Sequence, residues 1–299
     1  MRQKTNIVAT TACVAVLVAS AAGKERQPVY TAFDVPGAIS TNGQGINARG
    51  DIVGGYVDKT GNHGYLLRHG TVTTIDYPGA AYTDARGING RGEIVGAYKR
   101  LGEPGVNIHG YLRTRDGDFI PIDFPGHTNV IPQRITSDGL ILGCRHDTDT
   151  MGTMRGVTIN SRDPSETSEI DAFASMNNGA TRDGNLIVGL FTDTDTGRGR
   201  GYLLYGETLI PFDAPGATLT AAWDVNERGA VAGVYRDAAN KFHGFLWERL
   251  RFSSIDFPGA SATRAFGINA HGAVVGTYID AANRTHAFVV DGERNDDDE

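Results

Sequence analysis

From about residue 30 to residue 290, short alternating runs of apolar and polar residues are broken again and again by glycine-bearing turns. That is the signature of short half-buried strands. The clearest copy is residues 45–80, "GINARGDIVGGYVDKTGNHGYLLRHGTVTTIDYPGA". Its Ile-Asp element returns as Phe33-Asp34, Ile75-Asp76, Ile122-Asp123, Ile170-Asp171, Phe212-Asp213 and Ile255-Asp256. Its Ile-Asn element returns as Ile46-Asn47, Ile88-Asn89, Ile135-Thr136, Ala180-Thr181, Val225-Asn226 and Ile268-Asn269, always with glycine three positions on.

The spacing carries a mechanism. Asn or Thr caps a turn through its side chain and the following glycine takes positive φ, so "NARG" predicts a hairpin between two antiparallel strands. "DIVGGY" supplies the second strand, whose internal glycine (Gly54, Gly96, Gly143, Gly189, Gly233, Gly276) marks a close approach of another backbone. "HGYLL" and "TVTTID" supply the third and outer strands. If His69-Gly70 is the turn between them, His63 faces Asp76; the same count sets His109 against Asp123, Arg200 against Asp213 and His243 against Asp256. Arg155 fills the same place in the third unit and His286 in the sixth, where Asp34 is the available acid. A pair recurring in every unit reads as a cross-strand contact rather than a catalytic dyad.

Four-stranded units of this length match the blade period of a β-propeller. The chain must then leave the outer edge of one blade for the inner strand of the next. Pro36, Pro78, Pro125, Pro215 and Pro258 end the outer strands, and the glycine after each permits the exit. The first element, "YTAFDVPG", is an outer strand with no unit before it, whereas the last unit stops at "HAFVVDGE" without one. The expectation is an all-β, six-bladed propeller with four short strands per blade, the last blade closed by the N-terminal strand.

"GINARGDIVGGYVDKTGNHGYLL", "GINGRGEIVGAY" and "GINAHGAVVGTYIDAANRTHAFVV" resemble the HAF-repeat family of extracellular bacterial proteins, over nearly all of residues 30–290. The resemblance implies a secreted bacterial protein and brings no catalytic residue. Units three and four depart from the pattern: Arg134-Ile135-Thr136 replaces Gly-Ile-Asn, Arg155-Gly156-Val157 replaces His-Gly-Tyr, and Ala172-Phe173-Ala174 lacks Pro-Gly.

Composition narrows the class. The net charge of -7, with no long Lys/Arg cluster, excludes a partner held by phosphate neutralisation, such as nucleic acid. Residues 1–21 have a basic start, an apolar run and Ala19-Ser20-Ala21, the pattern of a secretory signal cut near Ala21. Residues 22–28 then read as a linker, 29–291 as one propeller and 292–299 as an acidic tail. Removing the signal leaves Cys144 as the one cysteine, hence no internal disulfide, and no further membrane span. A secreted monomer, extracellular or periplasmic, is expected.

The chain has no G-x-S-x-G, P-loop, dinucleotide fingerprint or H-E-x-x-H. Alternating carboxylates before glycine in "DTDTMG" and "DTDTG" make Asp147, Asp149, Asp193 and Asp195 candidate calcium ligands, the other reading being solvated turns. No other cofactor is implied. The repeats also mark positions free of the common constraint. The residue before each Gly-Ile-Asn element is Gln44, Arg86, Gln133, Asn178, Trp223 or Phe266, placed near the start of an inner strand and so at one mouth of the channel. Polar groups opposite aromatics suit a sugar or a peptide. The leading expectation is a non-enzymatic module that binds a carbohydrate or an extracellular protein at this mouth. A propeller hydrolase or lyase, and a structural envelope or matrix protein, are the alternatives.

Overall fold

The computed structural model describes residues 28–103, 107–127, 129–147 and 153–291, and of the first 27 residues only two two-residue strands, Gln3–Lys4 and Val8–Ala9. Apart from those four residues, the expected signal lies outside the described residues, as do the acidic tail and Asp149. Among the described residues every regular element is a β-strand, and none forms a helix long and apolar enough to cross a membrane.

The strands build a β-propeller arrangement of antiparallel units packed side by side. In the first unit Ser40–Ile46 pairs with Ile52–Val57, which pairs with Asn62–Arg68, which pairs with Thr71–Ile75. The inner strands of the following units are Ala80–Ile88, Asn129–Ile135, Ser175–Ala180, Leu219–Val225 and Ala262–Ile268. Thr285–Val290, the third strand of the last unit, pairs antiparallel with Tyr30–Phe33, with Ala287 opposite Phe33 and Val290 opposite Tyr30.

Local chemistry follows the sequence reading. Asn47 Oδ1 accepts from the backbone N–H groups of Arg49 and Asp51, which closes the first hairpin. Asn89, Asn226 and Asn269 repeat this, while Thr136 and Thr181 cap with their hydroxyls. The four asparagines also reach sideways. Asn47 Nδ2 donates to the Asn89 carbonyl, Asn89 to Thr136, Asn226 to Asn269, and Asn269 to Asn47, at 3.1–3.3 Å. Threonine has no amide, so the ladder is missing beyond Thr136 and Thr181.

Strand packing explains the second-strand glycines. A Cβ on Gly54, Gly96, Gly189, Gly233 or Gly276 would overlap a carbonyl of the paired inner strand and the buried ring of Tyr65, Tyr111, Tyr202, Phe245 or Phe288. Each such ring removes enough apolar surface from water to contribute about 1.5–3 kcal/mol. The Pro-Gly exits are pinned as well as bent: Gly79 has φ +75°, Tyr77 N–H donates to Thr83 Oγ1 at 3.0 Å, and the Tyr77 ring stacks on Tyr98 of the next unit at 3.6 Å. Phe257 stacks on Tyr278 in the same way, at 3.7 Å.

Candidate functional site

Every inner strand carries a β-bulge, a point where one extra residue faces its partner strand and bends it. The extra residues are Gln44, Arg86, Gln133, Asn178, Trp223 and Phe266, the positions picked out by their variation. Their expected location needs correcting. They lie within the inner strands, three residues before the capping Asn or Thr, rather than at the strand starts. Gln133 and Asn178 are 2% and 0% exposed, and Phe266 is buried too, while Gln44, Arg86 and Trp223 are partly buried. The set is thus a level inside the channel, not an open rim.

Immediately after the bulge, four units have glycine: Gly45, Gly87, Gly179 and Gly267. The strands converge here, because a Cβ on Gly87 would stand 2.7 Å from Arg134 Cα and one on Gly179 would stand 2.6 Å from Asp224 Cα. The two units without glycine carry Arg134 and Asp224, each 7% exposed. Arg134 Nε lies 3.1 Å from Asp224 Oδ2. The guanidinium also donates to the carbonyls of Gln44, Arg86, Gln133 and Phe266, drawn from four different units. Burial pushes the Asp224 carboxyl above its ordinary range, against the pull of Arg134 and of the Val225 and Ile268 N–H groups. This ion pair, with its carbonyl and N–H contacts, ties together the inner strands of the first, second, third, fifth and sixth units.

On the bulge side, neighbouring side chains meet in sequence around the axis. Arg86 Nη1 donates to Gln133 Oε1 at 3.1 Å, Gln133 contacts Met176 Sδ, Asn178 Nδ2 donates to the Ala222 carbonyl, and Trp223 stands edge-on to Phe266 at 4.9 Å. Asp84 pairs with Arg86 at 3.0 Å beside Tyr82, whose phenol is pushed well above its ordinary range by burial and then by the Asp84 charge. Several buried polar atoms here have no protein partner among the described residues: Asp84 Oδ1, Arg86 Nε, Asn178 Oδ1 and, on the second strand of the sixth unit, Thr277 Oγ1. Such atoms are costly unless something outside the chain satisfies them.

Beyond the ion pair, at the hairpin end, lies a cavity of about 480 Å³ lined by the Asn and Thr turns, with Arg134 and Asp224 at its floor. It holds the volume but little free chemistry. Its asparagines are spent on the ladder and their own turns, and Arg91 is turned onto the Ser137 carbonyl. The unsatisfied groups are on the other side.

The basic residues of the third strands are held, in most units, between two acids. His63 Nδ1 meets Asp76 at 2.8 Å and Nε2 faces Asp58; His243 lies between Asp256 and Asp237, and His286 between Asp34 and Asp280. Arg200 bridges Asp213 and Asp193. Tyr56, Tyr235 and Tyr278 stack on the three histidines. His109 departs from expectation: its Nε2 turns to Glu103 at 2.9 Å, and no ion pair joins it to Asp123 among the described residues. The second acid comes from the loop before the third strand. Sequence reasoning missed it, although an Asp or Glu recurs there five to seven positions before the basic residue.

Two of the calcium candidates have other partners. Asp147 is held by His127 and Arg145, and Asp193 by Arg200 and the Thr196 and Asp195 N–H groups. Among the described residues no group of three or more His, Cys, Asp or Glu side chains is arranged to hold a metal ion. Cys144 is buried, and burial pushes its thiol up to about 12, which leaves it inert as a nucleophile.

No family model matches the chain, and no curated protein matches it in sequence. Solved structures do match in fold. TolB from Acinetobacter baumannii is similar over 87% of this chain at a TM-score of 0.55 and 12% identity; the chain spans 66% of that protein's length. The β-propeller domain of the Trilobed protease from Pyrococcus furiosus, described as having an open velcro topology, is similar over 86% of this chain and 95% of its own, at 0.54 and 12%. A mutant of the Aleuria aurantia lectin AAL, in complex with Fucα1-6GlcNAc, is similar over 84% and 91%, at 0.51 and 8%. At such identities the likeness is one of fold.

Proposed function

We propose that the chain is a secreted, non-enzymatic binding module of the HAF-repeat kind, a six-bladed propeller closed by its N-terminal strand, which takes a carbohydrate or protein partner at the bulge end of its channel. The pairing of Tyr30–Phe33 with Thr285–Val290 and the Asn269-to-Asn47 hydrogen bond between the sixth and first units support closure. The signal-like residues 1–21 support export, with the mature chain working as a monomer in the periplasm or outside the cell.

The observation that carries the binding reading is the partly exposed indole of Trp223, set edge-on to Phe266 at the level of the bulges. A part-exposed indole offers a flat apolar face at low entropic cost. A glycan array of the full chain beside its Trp223→Ala variant tests this. Loss of roughly 1 to 3 kcal/mol of affinity, the range of interface hot spots, with an unchanged melting temperature is expected. Affinity intact with a large fall in melting temperature would make Trp223 a core residue and the site wrong.

A further inference from the structure

At the bulge end, the seam between the fifth and sixth units carries a charge with no counter-charge. Arg264 sits on the sixth inner strand, two residues before the bulge residue Phe266. It is partly buried, and its guanidinium carbon lies 4.4 Å over the ring of Phe242, at the start of the fifth unit's third strand. Among the described residues no carboxylate pairs with it, and burial alone acts on its ionisation, working against the charge. Arg86, at the bulge of the second unit, is neutralised by Asp84, and Arg134 by Asp224.

Two further contacts cross or border the same seam. Trp223 of the fifth unit meets Phe266 of the sixth, and Thr277, whose Oγ1 is buried and unpartnered, stands directly opposite Arg264 in the strand register. The seam therefore offers one cation held over an aromatic ring and a second aromatic pair. A guanidinium stacked on a ring keeps its N–H fork free in the plane, the geometry that binds a carboxylate through two parallel hydrogen bonds.

We propose that the ligand of this end is an acidic glycan, recognised through the carboxylate of a uronic acid residue by Arg264, with its apolar ring face meeting Trp223. An acidic peptide would supply the carboxylate too, but the part-exposed indole of Trp223 offers the flat apolar face on which a pyranose ring stacks. The inference rests on the binding function proposed above and adds the charge class of the ligand.

The test measures binding of the full chain to a panel of uronate polymers (galacturonate, glucuronate and mannuronate/guluronate) and to their methyl esters, which keep the sugar and remove the charge. Poly-glutamate and neutral glycans complete the panel. The expected result is binding of at least one uronate polymer about tenfold to a hundredfold more tightly than its ester, the scale of one charge-assisted hydrogen-bonded contact. Arg264→Gln should bring the acid down to the level of the ester. Equal binding of acid and ester, or binding of neutral glycans alone, overturns the acidic-ligand inference and leaves the binding function standing. Preference for poly-glutamate overturns it in favour of a protein partner. Binding of no glycan and no peptide removes both. The acid-to-ester comparison uses the unmodified chain, so it decides the question even if the Arg264 variant folds poorly.

Discussion

Arg134 and Asp224 stand 90 residues apart in sequence and meet at 3.1 Å on the propeller axis, each in a place where the other repeats have glycine. The two departures from the repeat are therefore one device. Removing a single partner of such a pair leaves an uncompensated buried charge, with a cost of about 3–5 kcal/mol. Arg134→Met or Asp224→Asn alone should lower denaturant stability by about that amount, whereas the double substitution should cost less than the two summed. Additive losses in a double-mutant cycle would mean that the carbonyl contacts of Arg134, rather than Asp224, hold the axis.

The tie between Asp34 and His286 should depend on pH. Burial opposes the charge on His286, but the hydrogen bonds it donates to Asp34 and Asp280 prevail and raise its pKa. Its contribution is fully present below about pH 6.5, the unfolded value, and is lost as pH rises through the raised folded value. Asp280 is held well below the carboxylate range by the Arg284 N–H, against burial, and by His286. Its contribution is present above about pH 4 and is lost as pH falls through that lowered value. Hydrogen exchange of residues 30–33 should accelerate from neutral to mildly alkaline pH in the wild type, and His286→Gln should flatten that response. An identical pH response in the variant would exclude the latch.

Gly96 and Gly79 should respond differently to alanine. At Gly96 the added Cβ overlaps the Asp84 carbonyl and the Tyr111 ring, so the paired strands must separate; at Gly79 nothing lies within 4 Å and only the positive φ is penalised. Thermal melts should show the larger loss for Gly96→Ala, with about 1–2 kcal/mol for Gly79→Ala. The reverse order would contradict the strand packing described.

Thr181→Asn should restore the missing ladder bond toward the Asn226 carbonyl while keeping the turn cap, and so stabilise the chain by about 0.5–1.5 kcal/mol. An unchanged or lowered melting temperature would show that the fourth unit's turn, where Arg182 N–H donates to Glu227 at 2.7 Å, already serves that seam.

The hairpins, the registers of His63 with Asp76 and Arg200 with Asp213, and the Pro-Gly exits were legible in the sequence because each is set within a few residues and repeated. The bulges were not, since one extra residue in a seven-residue strand leaves its apolar pattern intact. For the same reason the variable positions were found but set at the wrong depth. Arg134 stood out as an irregularity, yet nothing local pointed to Asp224. His109 was matched to Asp123 by strand register alone, but the loop of the second unit brings Glu103 to the imidazole instead.

The bond between His286 and Asp34 spans 252 positions of the chain, whereas the first unit is complete by residue 75. Contacts so distant in sequence form slowly, because the loop-closure entropy must be met before they yield any stabilisation. Residues 30–33 leave the ribosome early but have no partner until residue 290 has followed. The strand that pairs with the last unit is thus made before the first unit and placed after the last.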